Sequence, residues 1–188
     1  GLPYYRALLV TGFAHGWSNF GVRIALLPLM AAAVPTIGNQ AAGIALTLFA
    51  LGNAVMQQAT GRLVDRRGRR PFLVVGLLVS AAATVFFGWV DALWVFLALS
   101  ALAGAGAALI APASQALMAD IIGSNRSGGQ ALSTYSMSMD LGSIAGTLVA
   151  GAIADAVGFG WAFAVTGLVM GVAVVPWLFV RGRPWWAR

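Results

Sequence analysis

The stretch Gly61-Arg62-Leu63-Val64-Asp65-Arg66-Arg67-Gly68-Arg69-Arg70 decides how this chain is read. It gathers five of the eleven basic residues and one of the five acidic ones. On either side lie apolar runs of about twenty residues, Ala41–Ala59 and Pro71–Val90, each long enough to cross a bilayer. A short basic cluster between two such runs predicts a tight cytoplasmic turn, over residues 61–70, joining two membrane helices.

Working outward, the composition agrees. Hydrophobic residues make up 60% of the chain and charged residues 9%, with a mean hydropathy of +0.88. Soluble domains carry about 25% charged residues, so this is a membrane protein. A net charge of +6 would point to nucleic acid in a soluble chain. Here the arginines stand at the ends of apolar spans, where they set topology and meet anionic headgroups, so the partner is the lipid bilayer and no nucleic acid is expected. Cysteine is absent, which removes thiolate chemistry, and His15 is the only histidine, which removes a His-cluster metal site. No cofactor, metal or catalytic residue is expected. A chain that opens on Gly1 leads us to expect a piece of a longer polypeptide.

Six spans can be marked: Arg6–Val34, Gln40–Gly61, Pro71–Val90, Leu93–Ile122, Gly129–Ala154 and Trp161–Val180. Each can cross a hydrocarbon core of roughly 30 Å, the longer ones by tilting. The Gly/Ala run Ala103–Ala108 and the glycines Gly142, Gly146 and Gly151 predict faces where helices approach closely. Pro28 and Pro112 fall inside spans and predict local kinks or breaks. Trp161, Trp177, Trp185 and Trp186 lie near expected interfaces and read as bilayer anchors.

Arg6, the five arginines of the central cluster, Arg126, Arg181, Arg183 and Arg188 all fall on one side of such a fold. The loops near Pro35–Asn39, Asp91 and Asp155–Gly160 carry none. Both ends are therefore expected in the cytoplasm of a cell that places the protein in its plasma or inner membrane. The pattern Gly61-x-x-x-Asp65-x-x-Gly68 recurs as Gly151-x-x-x-Asp155-x-x-Gly158, one copy expected inside and the other outside. That is the mark of an inverted three-plus-three repeat.

The central motif and the six-span repeat resemble one half of a Major Facilitator Superfamily transporter. Gly61, Leu63, Asp65, Arg66, Gly68, Arg69 and Arg70 stand where that family's signature loop has them, with Arg62 between. The resemblance implies an all-α membrane fold of six transmembrane helices, and a loop that controls conformation. Its aspartate would contact a helix end of the opposite half, and its guanidinium groups would pair with charges. Where drug exporters of the family carry an arginine in the fourth helix of the amino-terminal half, this chain has Ser100–Gly106, and Gly146 is followed by Thr147 instead of proline. Those departures imply the carboxy-terminal half, helices seven to twelve.

Charges at membrane depth single out functional residues. Arg23 lies roughly 25 Å from the cytoplasmic end of its span and Asp140 roughly 16 Å, near the midplane. The two are expected to pair or share a polar network in at least one access state, with Asp140 carrying the coupled proton. His15, Asn19 and Arg23 follow at four-residue intervals on one helix face. Asn53, Gln57, Gln58, Gln115, Tyr135, Ser136 and Met139 are weaker candidates for the same substrate and proton pathway. The function expected is proton-coupled efflux of small molecules by alternating access, with the missing amino-terminal half, or a second copy of a half-size subunit, completing the transporter. An intramembrane serine protease would need a nucleophile such as Ser114 beside His15, and no Gly-x-Ser-Gly turn occurs.

Overall fold

A bilayer core offers no water to backbone amides, so a chain of this composition must satisfy them internally. It does so with helices. The computed structural model describes residues 2–34, 40–123 and 128–180, the side chains of Arg62, Asp65, Arg66 and Arg67 excepted. Among them no strand occurs. The order is α1 (Leu2–His15), a π-helical segment (Gly16–Val22), α2 (Arg23–Ala33), α3 (Ala41–Arg67), α4 (Arg70–Phe87), α5 (Leu93–Ile122), α6 (Gly128–Val157), α7 (Phe159–Val172) and α8 (Val175–Phe179).

Among the described residues, five stretches are long and apolar enough to span a membrane: Ala41–Gly61, Arg70–Phe87, Leu93–Ile122, Gly128–Val157 and Phe159–Phe179. The sixth span is the rod formed by α1, the π segment and α2. Its junction residues His15 and Arg23 both keep right-handed helical dihedrals, so the rod is continuous. The Arg23 N–H donates to the Ser18 carbonyl, five residues back instead of four, which is the π-helical bond.

Several elements differ from the sequence reading. The expected loop over 61–70 is helical as far as Arg67, and the turn itself is Gly68 and Arg69. Arginine is a good helix former, so the basic run extends α3 until glycine stops it. Gly68 stops it with φ 84° and ψ 163°, a region essentially confined to glycine. Pro28 and Pro112 do not break α2 or α5, which run through them. Around Pro112 the helix is held by close packing, Ala108, Ile110 and Ala113 being fully buried. The last span does break, at Ala173–Val174, because Pro176 in the first turn of α8 cannot continue the amide ladder. That break turns Trp177 inward. It is no interfacial anchor but fully buried, and its indole N–H donates to the Thr11 hydroxyl at 2.8 Å. Trp161 is exposed and stacks edge-on with Trp89. Arg126, Arg181, Arg183, Trp185, Trp186 and Arg188 lie outside the described residues.

The packing exchanges partners between the two halves of the chain. Helix α3, from the first three spans, crosses α5, while α6, from the last three, crosses α1 and the π segment. Each crossing is closed by glycine: a Cβ on Gly104 would overlap the Phe49 carbonyl, and one on Gly142 the Phe13 carbonyl. A Cβ on Gly151, expected on the same face, would meet nothing within 4 Å. The repeated motif also recurs in three dimensions. Gly158 (φ 96°, ψ 166°) closes α6 as Gly68 closes α3, each N–H donating to the carbonyl four residues back.

One apolar cluster gathers at the Arg-rich end, around Leu8, Val64, Leu73, Ile110, Leu117 and Trp177. A second gathers at the other end, around Leu26, Leu27, Phe87, Phe96 and Phe163. The interior belongs to α4, α5 and α7–α8, with 44%, 56% and 50% of their most apolar windows buried. For α3 and α6 the share is 17%. These two helices are left uncovered.

Candidate functional site

The Arg-rich turn is tied to the body of the fold by an ion pair. Arg69 leaves the turn and meets Asp120, two residues before the end of α5: Nε lies 2.7 Å from Oδ2, and Nη2 donates to Oδ1 at 3.1 Å. An aspartate in the last turn of a helix faces the negative end of its dipole, so it needs a cation there. The forked guanidinium supplies one with matching geometry. Sequence reasoning missed Asp120, because a lone aspartate near a helix end resembles an ordinary boundary residue. The Arg69 partner is 51 positions away, beyond the reach of any local pattern. Arg70 and Gly68 are half-buried, Gly61 and Leu63 exposed, and the side chains of Arg62, Asp65 and Arg66 lie outside those described.

The second group sits on the rod. His15 and Asn19 flank the start of the π segment and are buried, the Asn19 amide donating to His15 Nδ1 at 3.0 Å. The exposed Phe20 ring lies edge-on to His15, centroids 6.0 Å apart. Arg23 is 3% exposed. Its guanidinium carbon lies 4.5 Å from the Phe49 ring centroid and 5.6 Å from that of Phe87. Its Nε and Nη1 meet no hydrogen-bond acceptor. Tyr135 is buried with its ring over Gly12.

Asp140 takes a different position. It is exposed on α6 and lines a recess of about 300 Å³ with Phe20, Ser136, Met139 and Ser143. Among the described residues the ion pair is Arg69–Asp120, so the expected partnership of Arg23 with Asp140 is not made in this conformation. One is sealed under aromatic rings; the other faces the uncovered side. The reason lies in the glycines. Gly16 and Gly21 press the π segment against the Met139 and Ser143 carbonyls, on either side of Asp140, and the carboxylate is left to project past the rod. Asn53 is half-buried and Gln57 and Gln58 exposed along α3, while Gln115 is exposed on α5.

The family profile described as Major Facilitator Superfamily matches residues 8–185. Among curated proteins, the chain is 32% identical over 167 residues to the Multidrug resistance protein MdtG of Yersinia enterocolitica, covering 86% of this chain and 40% of that protein. It is 43% identical over 79 residues to the Inner membrane transport protein YajR of Escherichia coli, covering 42% of this chain and 17% of the relative. Among solved structures, a peptide transporter POT in complex with sulfate superposes with a TM-score of 0.78 at 21% identity, over 93% of this chain and 37% of that one. Tetrameric PepTSo2 gives 0.78 at 16% identity, over 94% and 40%. Both likenesses concern the fold. The chain spans about two fifths of the length of the MdtG relatives it matches.

Proposed function

The chain belongs to the Major Facilitator Superfamily, and from that premise we propose that it forms the carboxy-terminal six-helix half of a secondary transporter that exports small amphipathic molecules in exchange for protons. The observation that carries this reading is the uncovered flank. Helices α3 and α6 have 17% of their apolar windows buried and present polar groups at mid-length: Asn53 and Gln57 on one, Ser136 and Asp140 on the other. A membrane helix facing lipid has no use for a carboxylate half-way along its length, whereas one lining a water-filled cavity does. A second six-helix unit placed against that flank would enclose such a cavity.

In this reading Asp140 takes up and releases the coupled proton as access alternates. The turn at Gly68–Arg69, held to α5 through Asp120, is the cytoplasmic latch, and Asp65 reaches a helix end of the opposite half. Both ends of this segment lie in the cytoplasm. Export of drug-like molecules follows from the naming of the MdtG relatives and is carried over as part of the proposal.

The test is ethidium uptake into everted vesicles bearing the full-length protein, with and without an imposed pH gradient. Wild type accumulates the dye when the gradient is present. Asp140→Asn binds the dye and no longer accumulates it. Gradient-driven uptake by Asp140→Asn at the wild-type rate would remove the proton-carrying role.

A further inference from the structure

The start of α1 and the end of α8 enclose a slot. Its walls are Leu2, Pro3 and Val10 of α1 with Pro176 and Phe179 of α8, and its floor is the buried pair Ala7 and Val180. Leu2, Val10 and Phe179 are 68%, 40% and 78% exposed, so the rims are open and apolar. Beneath the slot the Trp177 indole donates to the Thr11 hydroxyl at 2.8 Å. These two residues follow Pro176 and Val10 directly, so the bond holds one wall against the other.

One charged side chain lines this slot. Arg6 stands four residues from both Leu2 and Val10, on the same stripe of α1. It is exposed, and the ion pair among the described residues is Arg69–Asp120, so no carboxylate there neutralises it. Helical side chains lean toward the N-terminus, which carries the Arg6 guanidinium past Leu2 toward the membrane surface where α1 begins. Its aliphatic stem stays along the apolar wall. In the sequence, two further arginines, Arg181 and Arg183, follow the slot's last residue, Val180.

The dimensions select the kind of occupant. Leu2 to Val10 covers about 12 Å of helix axis. A volume of about 370 Å³ spread over that length leaves a section of roughly 30 Å². A helix with its side chains is about 10–12 Å across and fills on the order of 90 Å². The slot is too narrow for a helix of a companion half and suits a single extended hydrocarbon chain.

We propose that it holds one acyl chain of an anionic phospholipid whose phosphate is bound by Arg6. The guanidinium fork takes two phosphate oxygens, and the hydrocarbon lies over Ala7 between Val10 and Phe179. Seated there, the lipid bridges the first and last spans and braces the break at Ala173–Val174. The proposal is independent of the transport reading, because it requires only that the chain crosses a membrane.

The experiment is thermal unfolding of the full-length protein, stripped of lipid in a neutral detergent. The additives are palmitoyl-oleoyl phosphatidylglycerol, phosphatidylcholine with the same chains, and glycerol phosphate, which has the anion without the hydrocarbon. Wild type is expected to rise by a few degrees with phosphatidylglycerol, by less with phosphatidylcholine, and not at all with glycerol phosphate. Arg6 is exposed, so Arg6→Gln should keep the lipid-free midpoint while its response to phosphatidylglycerol falls to that for phosphatidylcholine. Val10→Trp fills the slot from its open rim and should lose the response to both lipids. A preference for phosphatidylglycerol that survives Arg6→Gln would place the anionic lipid elsewhere and overturn the assignment. A wild-type response in Val10→Trp would show that no acyl chain enters the slot. Glycerol phosphate acting as well as phosphatidylglycerol would make Arg6 a site for a soluble anion. A wild type indifferent to both lipids would mean that another part of the full-length protein fills the slot.

Discussion

The Arg69–Asp120 contact ties the Arg-rich turn to the end of α5. Both side chains are partly exposed, at 24% and 19%, so solvent screens the attraction, and a coupling of about 1 kcal/mol is expected in place of the larger value of a sealed pair. A double-mutant cycle on unfolding of the full-length protein, using Arg69→Gln and Asp120→Asn, measures it. The two single changes should cost similar amounts, and the second should add little once the first is made. Additive losses would mean the residues touch without mattering to one another. Arg23 is the opposite case at the same scale, a charge whose neighbours leave it unsatisfied.

At the scale of the element, glycine placement decides where helices meet. Helix α6 carries Gly142, Gly146 and Gly151, all with the spacing of a packing face. The first lies against the Phe13 carbonyl and the second against Trp17, while a Cβ on the third would meet open space. Gly142→Ala should therefore destabilise by about 1–3 kcal/mol through overpacking. Gly151→Ala should be neutral or stabilising by up to about 1 kcal/mol, as glycine is a poor helix former. Unfolding midpoints of the two variants give the comparison, and equal midpoints would refute the crossing as described. The rod shows what periodicity alone leaves open about its polar stripe. The π segment re-registers the helix between His15 and Arg23, and all three residues of the stripe, His15, Asn19 and Arg23, are buried in this conformation.

For the whole molecule the decisive fact is asymmetry of cover. Helix α4 packs between α5 and α7, whereas α3 and α6 leave large apolar side chains in the open: Val55 at 73% and Leu148 at 68% exposure. The chain has no cysteine, so single reporters can be introduced cleanly. In the full-length protein, Leu148→Cys on α6 should react slowly with a lipid-soluble maleimide, while Leu168→Cys on α7, 62% exposed here, should react freely. Similar rates at the two positions would mean that α6 is not covered as the proposed transporter requires.

The membrane fold class and the family were legible along the chain. Those signals are local: runs of about twenty apolar residues, arginines at their ends, and a ten-residue motif each report on their own stretch of chain. The glycine of the repeated motif was legible too, because a backbone near φ 90° tolerates little else. Only the tertiary structure decided which charges meet. Arg69 found Asp120, Arg23 found two phenyl rings instead of Asp140, and Trp177 turned from the interface to Thr11. Such pairings depend on how closely neighbouring helices approach and how each is rotated. In this chain glycine-on-carbonyl contacts and one π turn set both, and neither leaves a trace in hydropathy or charge.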